Sequence, residues 1–283
     1  MRTPTRLREF DDGNDRWHMV DVAPAEHLRD AISGYGWWSE STTSFDTRRE
    51  LAGTRGTLIV NLASDLDLVD AQGNAVRLRA GEGFIAGLAQ ATSLSRSTGA
   101  MAGVHVQAPL ATLARLAGTS IADLTDRIVP LSDLPAFDML RLGDKLLDVV
   151  DAEARWTLLD TLIGDRLAAA ADPSPAIAHI ARRLRAGARV EAIATELGWS
   201  RKRLAETFKQ ATGLEPRTYA GLARFERFAA RLQAGPALPL AQAAVAAGYA
   251  DQPHLTREVA RYASMTPAAL RRHLLPDGGG VRE

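Results

Sequence analysis

The stretch LGWSRKRLAETFKQATGLEP (Leu197–Pro216) and, about fifty residues on, AGYADQPHLTREVARYASMTP (Ala247–Pro267) read as two versions of one pattern. In the first, Gly198 sits where a left-handed residue ends a helix sharply, and Ser200 is a good N-cap for the helix that follows. That second helix carries Leu204 and Phe208 four apart on one face, and Gly213-Leu214-Glu215-Pro216 closes it. Upstream, Val190, Ile193 and Leu197 mark the buried face of the preceding helix, and Ala194 lets the two backbones approach. Helix, glycine turn, cap and second helix spell a helix-turn-helix unit. In the echo, Ala243-Ala244, Gly248, Tyr249, Leu255, Val259 and Pro267 match Ile193-Ala194, Gly198, Trp199, Leu204, Phe208 and Pro216. The glycines lie 50 apart and the later pairs 51, so the second turn holds one extra residue.

Between the copies runs RTYAGLARFERFAARLQAG (Arg217–Gly235), with Tyr219, Leu222, Phe225, Phe228, Ala229 and Leu232 at helical intervals and Gly235-Pro236 as a stop. Roughly 18 residues at about 1.5 Å each make a rod of about 27 Å. Successive major grooves on one face of B-DNA lie about 34 Å apart. A rod of that length, with a reader helix packed near each end, presents both to adjacent turns of one duplex.

Residues 177–273 resemble the DNA-binding domain of the AraC/XylS family of bacterial transcription regulators. The resemblance rests on IATELGWSRKRLAETFKQATGLEPRTY and AVAAGYADQPHLTREVARYASMTP, and on the extra residue in the second turn. It implies an all-α domain of two helix-turn-helix units joined by a long helix, double-stranded DNA as partner, and base readers at Gln252 and Arg257. Two departures stand out. His254-Leu255 and Val259 occupy places where aromatic residues are more typical, and Ser264 replaces the glycine equivalent to Gly213. Both imply a looser core in the second unit.

On the first reader helix Lys202, Ala205, Glu206 and Lys209 follow helical spacing toward a groove. Lys202 suits guanine O6 or N7, and Glu206 suits a cytosine amino group. Ser200, Arg201, Arg203 and Lys209 suit phosphates. On the second reader Gln252, His254, Thr256 and Arg257 are the polar candidates. The competing reading is a solvated face on which Glu206 merely pairs with Lys202 or Arg203.

Charge supports the same division of labour. From Ser174 onward there are 17 Arg and Lys against nine Asp and Glu, while the preceding residues carry 17 against 25. A basic C-terminal third suggests an anionic partner there, or else a chance solvated surface. The absence of cysteine excludes disulfides, thiolate metal sites and cysteine nucleophiles. No apolar run approaches the roughly 18 residues of a membrane span, and MRTPTRLREFDDGND lacks a signal-peptide core. A cytoplasmic protein without membrane contact is expected.

The N-terminal part reads as mostly strand: GTLIVNLA (Gly56–Ala63), DLDLVD (Asp65–Asp70), the turn AQGN (Ala71–Asn74) and VHVQ (Val104–Gln107). Short strands at this spacing suggest a small sandwich or barrel. The family resemblance makes it a cupin-like β-barrel sensor, with Ala111–Leu134 similar to the region that follows the barrel in such regulators. Leu110–Ala117, stopped by Gly118, Phe137–Val150 and Ala154–Ala171 read as helices, and Asp172-Pro173-Ser174-Pro175 as a linker. The expected fold is therefore α+β. It comprises a β-rich domain over 1–135, a helical dimerisation or support region over 136–171, a linker over 172–176, a double helix-turn-helix over 177–274 and a disordered tail over 275–283.

No enzymatic site is legible. Of His18, His27, His105, His179, His254 and His273, no two share a metal-ligand spacing, and only His18 and His105 could meet inside a barrel. No catalytic residue, cofactor or metal is expected. Tyr35, Trp37 and Trp38 could wall an apolar pocket or belong to the core, and Arg48, Arg49 and Arg55 could receive an acidic ligand or lie on the surface. The partners implied are DNA, a small-molecule effector, RNA polymerase and a second copy of the chain. The alternative is a β-barrel binding protein or enzyme whose helical tail makes protein contacts.

Overall fold

The computed structural model describes residues 2–44, 46–97, 100–138, 141–170, 174–234, 238–275 and 280–282. The strands are β1 (Pro4–Asp11), β2 (Asp15–Val22), β3 (Gly34–Thr42), β4 (Thr47–Glu50), β5 (Gly56–Asn61), β6 (Leu66–Val69), β7 (Ala75–Leu78), β8 (Gly83–Ala86), β9 (Ser93–Ser97) and β10 (Ala100–Ala108), with burial alternating along β2, β5 and β6. Helices α1 (Leu110–Ala117) and α2 (Ile121–Leu124), strand β11 (Ile128–Pro130) and helices α3 (Pro135–Asp138), α4 (Leu142–Leu147) and α5 (Ala152–Ala169) complete this half. The C-terminal half is α6 (Pro175–Arg185), α7 (Val190–Glu196), α8 (Arg201–Thr212), α9 (Pro216–Ala234), α10 (Leu240–Ala247), α11 (Gln252–Ala263) and α12 (Pro267–His273), followed by strand β12 (Gly280–Arg282).

The strands form two antiparallel sheets, β1-β2-β3-β10-β5-β8-β11 and β12-β4-β9-β6-β7. They pack face to face and do not close into the expected barrel; the arrangement is an open, cupin-like sandwich. Period-2 patterning explains why. On β5, Ile59 joins Leu66, Leu68, Leu78, Phe84 and Met101 between the sheets, while Leu58 and Val60 point to the opposite face. That opposite face is covered by Leu113 and Leu116 of α1 and Trp156, Leu159 and Ile163 of α5. The centre of the larger sheet is thus buried on both faces, while β1 at its edge is exposed.

The strand and helix expectations hold over β5, β6, β10, α1 and α5, with Gly118 in the left-handed conformation that stops α1. The single helix expected over Phe137–Val150 does not form. The chain makes the short α3 and α4 instead, with Arg141 at φ 45° between them. The tail is also corrected. Instead of disorder throughout 275–283, Gly280–Arg282 pairs antiparallel with Arg48–Glu50, and Val281 is fully buried. Its hydrogen-bonding partner lies more than two hundred residues away, so no local signal announces the strand. The linker residues Asp172-Pro173 and the stop Gly235-Pro236 lie outside the described residues.

Candidate nucleic-acid interface

Both glycine turns take the left-handed backbone that their sequence demanded, Gly198 at φ 64° and Gly248 at φ 94°. The two turns are built alike. The Gly198 and Trp199 amides donate to Thr195 and Ala194 carbonyls at 3.1 and 2.9 Å, and those of Gly248 and Tyr249 to Val245 and Ala244, each at 3.0 Å. Ser200 Oγ caps α8 by accepting from the Arg203 amide at 3.1 Å. The second cap was missed in the sequence: Asp251 Oδ1 accepts from the His254 amide at 2.7 Å. An aspartate two residues before Pro253 was the signal for it. The caps are 51 residues apart, which places the extra residue of the second turn ahead of Asp251.

Helix α9 is more than a spacer between the units. It buries Tyr219, Leu222, Phe225, Phe228, Ala229 and Leu232, and three ring contacts tie it to both units. Phe208 of α8 meets Tyr219 edge-on at 5.3 Å, Phe228 meets Tyr249 of the second turn at 5.9 Å, and Phe225 meets Tyr262 of α11 at 5.6 Å. The looser second core that the sequence implied is not found. Leu255, Val259, Tyr262 and Ala263 are all buried, and Tyr262 supplies the aromatic bulk that Val259 lacks. Gly221 makes room for it, since a Cβ there would lie 2.8 Å from the Tyr262 hydroxyl. Ser264 adopts φ 57°, taking the left-handed cap that Gly213 takes at φ 74°.

The candidate contact residues fall mostly on exposed faces. Ser200, Arg201, Lys202, Arg203, Glu206 and Lys209 are exposed and Ala205 is half-buried, while Leu204 and Phe208 face inward. On α11, Gln252, Thr256 and Arg257 are exposed. His254 differs: half-buried, its Nε2 lies 3.3 Å from Glu258 and its ring meets Tyr249 edge-on at 5.3 Å.

The two readers differ in charge state. Around α8 the cations already have company. Arg201 pairs with Glu191 at 3.2 Å, Lys202 with Glu206 at 3.8 Å and Lys209 with Glu215 at 2.8 Å, and the Arg203 guanidinium lies 4.5 Å from the Trp199 ring centre. The Lys202–Glu206 pair is the one the competing reading anticipated. The Glu215 carboxylate holds the Lys209 ammonium above its ordinary pKa. Pairs this exposed contribute little and open readily toward a stronger anion. On α11, Arg257 has no ion pair among the described residues.

The N-terminal domain seats on the C-terminal ends of both reader helices and on the middle of α9. Thr125 Oγ1 donates to the Thr212 carbonyl of α8 at 2.7 Å, and the Ala52 amide donates to the Tyr262 carbonyl of α11 at 3.2 Å. The Glu226 carboxylate of α9 accepts from the Thr54 amide at 2.8 Å and hydroxyl at 2.6 Å. The N-terminal halves of α8 and α11, which carry most of the candidate contacts, are left free.

Residues 177–273 match a family model described as a helix-turn-helix domain. The C-terminal domain is of the AraC type. An AraC-type domain binds DNA, and the chain is a DNA-binding transcription regulator. One solved structure of ToxT from Vibrio cholerae (P21 form) superposes with a TM-score of 0.54 at 10% identity, covering 92% of this chain and 98% of that one. Another, from Vibrio cholerae O395, gives 0.51 at 12% identity over 81% and 93%. At that identity the likeness speaks for a shared two-domain fold. No curated protein matches the chain.

Of the N-terminal aromatic candidates, Tyr35 and Trp37 share one face and Trp38 lies on the other. Tyr35 and Trp37 point toward α5, where Tyr35 is fully buried, stacks on Trp156 at 6.2 Å and donates to Asp160 at 2.9 Å. Burial and the Asp160 charge push the Tyr35 pKa up. Trp37 lies under the Arg155 guanidinium, and Trp38 packs between the sheets. Period-2 alternation thus divides the three rings between two faces. Arg48 is paired with Glu50 at 2.7 Å, and Arg55 is exposed. His18 and His105 do not meet: His105 lies across Gly36, 3.4 Å from Asp21, and His18 lies 3.6 Å from Glu9. Among the described residues no helix is long and apolar enough to cross a membrane.

Proposed function

We propose that the chain regulates transcription in a sequence-specific way, with α8 and α11 reading adjacent major grooves of one duplex. The observation that carries this reading is the fixing of two like-built reader helices to a single buried helix with their N-terminal halves exposed. Nineteen residues of α9 span about 28 Å, close to the separation of successive grooves. Lys202, Ala205 and Glu206 read bases from α8, and Gln252, Thr256 and Arg257 from α11; Ser200, Arg201, Arg203 and Lys209 hold phosphates. The exposed Lys202–Glu206 pair splits on binding, each partner taking its own base edge.

In this reading residues 1–135 form a sensor and 136–171 support it or pair two copies through the outer face of α4 and α5. Residues 172–176 link it to the DNA-binding domain of 177–274, and RNA polymerase is the further partner of an activator. One ToxT structure is described as bound to an unsaturated fatty acid, which makes an apolar acid the first effector class to test. The decisive experiment is a gel shift with DNA from upstream of the protein's own and neighbouring genes, across a salt series. Tight binding that weakens steeply with salt supports the reading. Binding of equal strength to every duplex, or none to any, refutes it.

A further inference from the structure

A cleft of about 560 Å³ opens between α9 and α11, lined by Arg217, Arg224, His254, Arg257, Glu258 and Arg261. Its floor is electrostatically settled. Arg224 donates to both Glu258 oxygens, at 2.6 and 3.1 Å, and His254 leans on the same carboxylate. Burial works against the Arg224 cation, but the paired carboxylate outweighs it and raises its pKa. The rim is different. Arg217, Arg257 and Arg261 have no hydrogen bond or ion pair among the described residues. Arg261 only rests over the Tyr262 ring, its Cζ 5.4 Å from the ring centre. One carboxylate already committed to Arg224 leaves three positive charges facing an open channel.

Its place in the fold says what would fill it. Arg217 stands in the first turn of α9, five residues beyond the end of α8 at Thr212, while Arg257 and Arg261 lie one turn apart on α11. The channel therefore lies between the second reader helix and the start of α9, the turn that follows the first reader helix. Two reader helices in adjacent major grooves straddle one minor groove, whose edges are phosphodiester strands. We infer that this cleft is a saddle for the DNA backbone between the two grooves, with Arg217 and Arg261 as phosphate clamps and Arg257 shared between saddle and groove. The inference rests on the DNA reading above and adds residues outside both helix-turn-helix motifs' expected contacts. A guanidinium fork matches phosphate oxygens in pairs.

The test is fluorescence anisotropy of the full chain on a bound upstream duplex and on a scrambled duplex, from 50 to about 500 mM salt. Arg217→Gln, Arg261→Gln and the exposed, distant Arg29→Gln are compared with wild type. Each clamp variant should bind both duplexes roughly fivefold more weakly near 0.15 M salt and lower the salt slope by about 0.9, with sequence preference unchanged. Arg29→Gln should match wild type. If wild type binds but both clamp variants retain its affinity and slope, the saddle is overturned while the DNA reading stands. If wild type binds no duplex, the DNA reading falls and the saddle with it. A melting temperature raised by inorganic pyrophosphate in wild type but not in the clamp variants, alongside unaltered DNA binding, would assign the cleft to a free anion and also overturn the saddle.

Discussion

Replacing Glu226 with alanine removes the contact that ties the middle of α9 to the N-terminal domain. Thr54 is 2% exposed, and both its amide and its hydroxyl donate to the Glu226 carboxylate. Alanine leaves a buried N–H without an acceptor, a loss of about 1–3 kcal/mol for one such group. Taking about 2 kcal/mol, the Thr54 amide should open roughly thirtyfold more often. Glutamine should behave differently. Its oxygen can accept from the amide while its nitrogen donates to the Thr54 hydroxyl, so the increase should stay within about fivefold. Hydrogen–deuterium exchange of peptides covering 51–56 in wild type, Glu226→Ala and Glu226→Gln reads this directly. Equal protection in wild type and Glu226→Ala would refute the reasoning, as would Glu226→Gln exchanging as fast as Glu226→Ala.

Ser264 bears a left-handed backbone that glycine adopts freely, so Ser264→Gly should stabilise the chain by about 0.5–1 kcal/mol in chemical denaturation, net of glycine's greater freedom when unfolded. Gly213→Ser should destabilise it by about 1 kcal/mol. Arg257→Ala and Lys202→Ala should each lose about 1–3 kcal/mol of binding and relax preference at one base position, measured on a panel of single-base operator variants. Burial raises the Asp70 pKa, but hydrogen bonds from Asn74, Gln72 and Ile128 outweigh it and hold the carboxyl below its ordinary value. The stability it contributes is complete above the unfolded pKa of about 3.9 and is lost as pH falls through the lower folded one. Asp70→Asn should therefore be less stable at neutral pH and show a shallower acid transition below pH about 4 by circular dichroism.

The double helix-turn-helix was legible because its determinants are local. Gly198 and Gly248 need a left-handed backbone, Ser200 caps the helix it precedes, and Leu204 and Phe208 repeat at the helical interval. The exposed faces of α8 and α11 followed from the same periodicity. What was lost is non-local. Whether α9 was a bare rod or a shared core depended on rings meeting across the domain, as Phe225 does with Tyr262. The pairing of Val281 with Arg49 and the seating of Thr54 on Glu226 each join residues more than 170 positions apart. Closure of the sheets was misjudged because strand spacing says nothing of α5, which covers the outer face of the larger sheet. Tyr35-Gly36-Trp37-Trp38 caught attention by composition, yet strand alternation puts Trp38 on the opposite face from Tyr35 and Trp37.

The most direct measurement concerns spacing along the duplex. On an operator occupied by one chain, five base pairs inserted between the two contacted segments turn them to opposite faces, and ten restore the face but double the separation. Because α8 and α11 are both fixed to α9, either insertion should cut affinity to that of a single segment, by at least about tenfold. Undiminished binding to both inserted operators would contradict simultaneous reading by the two helices.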